Sequence, residues 1–223
     1  VCPHPCESDC RRALVEQPLS IAYLKAFAAD NDMKSANPFT PAVAASTGKR
    51  VAIIGGGPAG LTAAYQLAVK GHGVTVFDMM PEMGGMLRYG IPEYRLPKAV
   101  LAAEVEAIAK LGVELKNNVK VGTDVTLEGL KAEYDAVLVA VGAWKSTGVG
   151  CEGDKLEGVL GGIDMLREVN LGGRPNLGKN VAVVGGGNVA MDACRTSVRL
   201  GAENVYVIYR RTRAEAPAED LEI

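Results

Sequence analysis

The sequence has only two histidines, His4 and His72, and they stand far apart. No Ser/His/Asp set and no metal-binding histidine pair is visible, so triad hydrolysis and histidine-metal chemistry are set aside. None of the five cysteines forms a C-x-x-C pair, which argues against a redox dithiol of the thioredoxin-reductase type. No apolar run reaches the ~20 residues of a membrane span, and no signal-peptide pattern is visible. The formal charge is −2, which points to neither nucleic acid nor an anionic membrane surface. A cytoplasmic protein without membrane or nucleic-acid partners is expected.

What is present is apolar residue in quantity, 48%, enough for a sizeable core in one or two domains across 223 residues. Val1 to Arg12 is a cysteine segment. Ser20 to Ala29 reads as a short helix that Ser20 could cap, with Ile21, Leu24, Phe27 and Ala28 on one face. Asn31 to Gly48 reads as an extended connector. From Arg50 the pattern becomes strand-helix-strand: strand Val51 to Ile54, helix Ala59 to Lys70, strand Val74 to Phe77. Pro81 to Pro97, with three glycines and three prolines, reads as loop. Helix Lys98 to Leu111 follows, then short strands at Val113 to Leu115 and Val119 to Val121. A helix at Leu127 to Glu133 leads to a buried strand at Ala136 to Val141. A mixed connection with a helix at Gly162 to Val169 precedes a second strand-helix-strand unit over Lys179 to Arg211. Alternating strands and helices with buried strands predict an α/β fold with parallel sheets. The segments expected are 1–48, 49–160 and 161–223.

The first unit carries Gly55-Gly56-Gly57-Pro58-Ala59-Gly60 between its strand and helix. In this G-x-G-x-x-G run one glycine permits the tight turn, one admits a pyrophosphate close to the backbone, and one lets helix and strand pack. The helix N-terminus offers N–H groups and the positive end of its dipole to phosphate. Asp78 ends the second strand a little over 20 residues after Gly55, the spacing of a ribose-binding carboxylate. Pro58-Ala59 leans towards a flavin dinucleotide. The stretch Gly84 to Pro92 could lie against its planar ring, or be a plain surface loop.

The second unit repeats the turn logic in Gly185, Gly187 and Ala190, with Asn188 and Val189 between them at the start of a helix. Its second strand ends not in a carboxylate but at Arg210 and Arg211. Guanidinium forks suit a 2′-phosphate, so NADP(H) is expected over NAD(H). Hydride transfer between two such cofactors needs position and electrostatics from the protein, so no catalytic side chain is named.

Cys2, Cys6 and Cys10 have the spacing C-x3-C-x3-C. Thiolates this close suit an iron–sulfur cluster or zinc, but three fall one short of the usual four ligands. Cys194, in the helix after the second fingerprint, reads as a buried small hydrophobe, and Cys151 has no visible partner.

The run Gly84-Gly85-x-Leu87-x-Tyr89-Gly90-Ile91-Pro92 with Arg95-Leu96-Pro97-Lys98 resembles the glutamate synthase small-subunit family of flavoproteins. That family includes the flavin and NADPH domains of dihydropyrimidine dehydrogenase and is related to subunits of ferredoxin:NADP oxidoreductases. Cys2-Pro3-x-x-Cys6-Glu7-x-x-Cys10, Ala140 to Ala143, Ala190-Met191-Asp192 and Tyr209-Arg210-Arg211 extend the resemblance nearly end to end. It implies a two-unit FAD/NAD(P)-binding fold. Gly55, Gly57, Pro58, Ala59 and Gly60 would hold the FAD pyrophosphate and Asp78 its ribose. Gly85, Leu87 and Arg95 would lie along the flavin side, and the strand around Val121 near the adenine. NADPH would take Gly185, Gly187, Asn188, Val189, Ala190, Arg210 and Arg211. The cysteine segment would belong to a [4Fe–4S] region whose other ligands lie upstream. The resemblance also implies a larger glutamate synthase-type or ferredoxin-linked partner subunit. With Val1 in place of Met and the second unit barely begun at Ile223, the chain reads as truncated at both ends.

Overall fold

A computed structural model describes residues 2–219 and 222–223. The chain divides into two compact units, residues 1–42 and 43–223. The smaller holds α1 (Pro5–Ser8), a 3-10 turn at Arg11–Leu14, and α2 (Ile21–Lys34). None of its described residues is buried, so it has no core of its own. α2 runs five residues beyond the expected Ala29, because nothing before Pro38 forbids helix: Asp and Asn only lower its propensity. Ser20 makes no side-chain cap. Glu7 caps instead, its Oε1 accepting the Ala22 N–H at 2.8 Å.

The larger unit opens with β1 (Arg50–Ile54), α3 (Pro58–Val69) and β2 (Gly73–Phe77). Then come α4 (Met86–Tyr89), α5 (Lys98–Ala109), β3 (Glu114–Lys116), α6 (Leu127–Glu133) and β4 (Ala136–Val139). These strands form one parallel sheet in the order β3-β2-β1-β4. The period of 2 along each strand divides the core between the two faces. Val51, Ile53, Val74 and Val76 pack with Leu61, Ala64 and Ala68 of α3. Ala52 and Phe77 face the other way, onto Leu130 and Tyr134 of the α6 region. Fully burying one such aliphatic side chain is worth about 1.5–3 kcal/mol. β1 lies in the middle of the sheet because Ala52 and Ile53 can be buried on both faces.

The remaining elements are α7 (Gly162–Asn170), β5 (Asn180–Val184), α8 (Asn188–Leu200), β6 (Asn204–Ile208) and a 3-10 turn at Arg213–Glu215. β5 and β6 pair in parallel as a separate two-stranded sheet, in register from Asn180↔Asn204 to Val184↔Ile208. Four sequence expectations change here. Val119 to Val121 joins no sheet; Val121 makes a single bridge to Val125. β4 ends at Val139 and is not buried, because it is the sheet edge, and Leu138 and Val139 stay exposed. β5 and β6 are likewise half exposed, since a two-stranded sheet offers little cover. The 81–97 loop contains one helical turn, α4.

Candidate nucleotide-binding sites

At the end of β1 the Gly55 N–H donates to the Phe77 carbonyl at 2.8 Å, so the turn begins locked to the neighbouring strand. Gly55 adopts φ +109°, and a Cβ there would stand 2.4 Å from the Ala140 carbonyl oxygen. Gly57 takes the N-cap position of α3 and Pro58 starts the helix, where its missing N–H costs nothing. Gly60 does not face the cleft. It lies against the Gly55 carbonyl, which a Cβ would approach to 1.9 Å, and so sets the strand–helix distance.

The loop after β2 closes over this turn. Gly84 N–H donates to the Gly56 carbonyl at 2.7 Å, and a Cβ on Gly85, at φ +53°, would meet the Gly57 Cα at 2.7 Å. The glycines of this loop therefore serve the fingerprint itself, besides any ring beyond it. Asp78 is buried at the end of β2. Its Oδ2 accepts the Gly56 N–H at 2.6 Å and its Oδ1 accepts the Met80 N–H at 2.8 Å. Each oxygen keeps a further lone pair, so the carboxylate pins two loops and can still accept from a hydroxyl.

These elements enclose a cleft of about 380 Å³. Gly55, Gly57, Pro58 and Ala59 form its floor at the helix N-terminus. One arm runs past Asp78 and Met79 to Val119, Lys120 and Val121. The other runs past Gly85 and Met86 to Ala140, Gly142 and Trp144. The floor has the features an FAD pyrophosphate requires: a glycine, Gly55, where a Cβ would clash, a second, Gly57, that leaves the approach to the backbone open, and helix N–H groups at the start of α3. Sequence reasoning missed Met79, Met86, Lys120 and Trp144. Met86 lies within the Gly84 to Pro92 run, Lys120 within the expected strand around Val121, and Trp144 directly after the Ala140 to Ala143 run, so their segments carried a signal although the residues themselves did not.

Leu87 does not line this cleft; it sits inside α4, where its carbonyl accepts from Lys98 Nζ at 3.1 Å. Arg95 does not line it either. Its Nη1 donates to Asp192 Oδ2 at 2.8 Å, and its Nε lies 2.8 Å from Glu222 Oε1. The Arg95 and Asp192 side chains are 12% and 5% exposed, so this ion pair is buried. Burial raises the Asp192 carboxyl above its ordinary value, and the Arg95 guanidinium opposes that rise. A buried carboxylate needs a cation, and Arg95 is turned to it and away from the cleft. Because Asp192 lies on α8, the pair ties the first strand-helix-strand unit to the second. Asn170 of α7 adds a bond from Nδ2 to the Tyr89 carbonyl at 3.0 Å, and the Arg199 guanidinium lies 3.8 Å from the centre of the Tyr94 ring.

The second fingerprint copies the first. Gly185, at φ +148°, donates its N–H to the Ile208 carbonyl at 2.9 Å. Gly187 is the N-cap of α8, and Asn188 and Val189 open the helix. A Cβ on Gly185 would stand 3.2 Å from the Ala190 Cβ, a contact close enough that the third fingerprint position must stay small. Tyr209 covers Gly186, where a Cβ would come within 2.7 Å of the ring. Asn188 Oδ1 accepts the Glu219 N–H at 3.0 Å, and Ala218 N–H donates to the Gly186 carbonyl at 3.0 Å. Arg210 and Arg211 follow β6 and are exposed at its end. The glycine turn and helix N-terminus again fit a dinucleotide pyrophosphate.

The cysteine segment is not drawn together. Cys2 and Cys6 are exposed and Cys10 is half-buried. Among the described residues no group of three or more His, Cys, Asp or Glu side chains is placed to hold a metal ion. α1 ends at Ser8, so Cys6 and Cys10 do not share one continuous helix face. Hydrogen bonding from the Leu19 and Arg12 backbone lowers the Cys10 thiol. Cys194 on α8 is half-buried rather than fully buried as expected, because its side of the helix is only partly covered, and that partial burial raises its thiol. Among the described residues no helix is long and apolar enough to cross a membrane.

The family of pyridine nucleotide-disulphide oxidoreductases matches residues 49–223. The whole chain is 49% identical to part of the NADP(+)-dependent formate dehydrogenase subunit beta of Moorella thermoacetica, and covers 35% of it. It is 44% identical, again over its whole length, to the NADPH-Fe(3+) oxidoreductase subunit beta of Geobacter sulfurreducens, covering 34% of that protein. The chain thus spans about a third of the length of these relatives. Among solved structures, Mycobacterium tuberculosis FprA in complex with NADPH superposes with a TM-score of 0.68 at 26% identity, over 78% of this chain and 46% of FprA. With two glycine fingerprints on parallel α/β units and a match over most of its length, the chain belongs to the pyridine nucleotide-disulphide oxidoreductase family.

Proposed function

We propose that this chain is the nucleotide-binding part of an NADPH-linked flavoprotein oxidoreductase. The observation that carries the reading is the pair of dinucleotide turns with opposite chemistry beside them. A buried carboxylate, Asp78, lines the first, and an exposed guanidinium pair, Arg210 and Arg211, follows the second. When bound, NADPH supplies a hydride and FAD accepts it and releases electrons singly.

The residues act by holding and orienting. Gly55, Gly57, Pro58 and Ala59 hold the FAD pyrophosphate on the N-terminus of α3. Asp78 accepts from the adenosine ribose while it pins Gly56 and Met80, and Val121 lines the adenine arm. Gly85 lets the 84–90 loop lie close to the cofactor, and Gly60 sets the packing beneath it. Leu87 supports that loop from α4. Gly185, Gly187, Asn188, Val189 and Ala190 hold the NADPH pyrophosphate, and Arg210 and Arg211 its 2′-phosphate. Arg95 and Asp192 keep the two units in one orientation. Residues 49–160 serve FAD and 161–223 begin the NADPH unit.

Iron–sulfur centres of this protein or of a partner subunit would take up the electrons; here Cys2, Cys6 and Cys10 are the thiols that would supply three ligands of a [4Fe–4S] region, and the segment as folded does not bring them together. The partner is of glutamate synthase type or ferredoxin-linked. The names of the two relatives, both beta subunits, support a multi-subunit setting. A second reading is a nucleotide-binding or docking part without turnover. The exposed β5–β6 sheet and the 217–219 segment lying over the second fingerprint favour it. Reconstitution with FAD followed by NADPH separates the two. Bleaching of the flavin band supports the oxidoreductase, and bound FAD that NADPH leaves oxidised supports the second reading.

A further inference from the structure

The FAD cleft has two arms, and Asp78 tells them apart. A ribose carboxylate marks the adenosine side, so adenine goes toward Val119 to Val121 and the isoalloxazine ring toward Gly85, Met86 and Trp144. Trp144 is the one tryptophan of the chain. It is half-buried and lines the cleft. Its ring rests on Tyr89, with centroids 5.8 Å apart and planes tilted by 47°. Tyr89 is itself buried and fixed: its hydroxyl donates to the Glu82 carbonyl and accepts the Glu82 N–H, both at 3.0 Å. The indole is therefore backed by a rigid ring on one side and open to the cleft on the other. A large flat apolar surface held at the end of a planar-ligand cleft is a packing wall.

We propose that Trp144 is a positioning residue that packs against the isoalloxazine ring, fixing it at the mouth of the cleft and shielding it from water. The proposal rests on the FAD reading above. It has a signature that a merely structural tryptophan lacks. An excited flavin takes an electron from an indole in contact with it, and the electron then returns, so emission is lost without net oxidation. Phenylalanine is too hard to oxidise to replace it.

The test is flavin emission from the purified protein reconstituted with FAD, compared with Trp144→Phe and Trp144→Leu at equal bound flavin. The wild-type flavin is expected to be dim and both variants severalfold brighter. Trp144→Phe keeps the ring against Tyr89, so it reads contact with the flavin even where Trp144→Leu fails to fold. FAD bound with equal emission in wild type and Trp144→Phe overturns the role of Trp144 and leaves the FAD site standing. A wild-type protein that retains no FAD overturns the reading beneath it.

Discussion

Arg95→Ala leaves the Asp192 carboxylate buried without its cation, a loss of about 3–5 kcal/mol in unfolding free energy. Urea denaturation reads it, and a cost under 1 kcal/mol would show the pair to be incidental. Asp192 also gives a pH signature. Its carboxyl is raised by burial, so between the ordinary carboxylate range and that raised value the folded chain keeps a proton that the unfolded chain releases. Its contribution is fullest below this window and declines as pH rises through it, so the stability difference between wild type and Asp192→Asn should shrink or reverse across the same pH range. A difference independent of pH contradicts this. Gly60→Ala forces a Cβ to within 1.9 Å of the Gly55 carbonyl, pushing α3 off β1. FAD retention after desalting should fall sharply while far-UV circular dichroism stays near wild type; full retention would deny the packing role. The fingerprint glycines were legible in the sequence because each answers to a local geometric demand. Arg95 was not, because the carboxylate that captures it lies 97 residues away and nothing local announces it.

At the scale of elements, each fingerprint depends on where a helix begins. α6, whose Leu130 closes the second face of the sheet, is capped by Thr126, with Oγ1 accepting the Gly129 N–H at 3.0 Å. Thr126→Ala should cost about 1 kcal/mol, read as a shift in the urea midpoint at unchanged slope. At the end of β6, Arg210→Ala with Arg211→Ala should weaken NADPH binding by about tenfold or more while NADH binding stays within about twofold. Titration calorimetry decides it, and equal losses for both nucleotides would remove the 2′-phosphate role. The alternation of Val51, Ile53, Val74 and Val76 against Ala52 and Phe77 made β1 and β2 readable in advance. The edge of a sheet is not written in one strand's own residues. β4 reads as apolar throughout, yet its exposure follows from which neighbour it lacks. The cap of α2 escaped notice for a similar reason, since Glu7 reaches it from another turn.

Over the molecule as a whole, two strand-helix-strand units each present a glycine turn at a helix N-terminus, and the buried Arg95–Asp192 pair joins them. Hydride exchange between two nucleotides requires such fixed relative placement, because a small misplacement of reacting atoms costs orders of magnitude in rate. Trp144 stands outside any local motif; it gains its place only when the residues after β4 fold back beside the 84–90 loop. The decisive measurement is anaerobic mixing of the FAD-reconstituted protein with NADPH, followed at the flavin absorption band. The expected result is loss of that band with NADPH, and much slower loss with NADH at equal concentration. Bound flavin that stays oxidised with NADPH would contradict the pairing of the two sites.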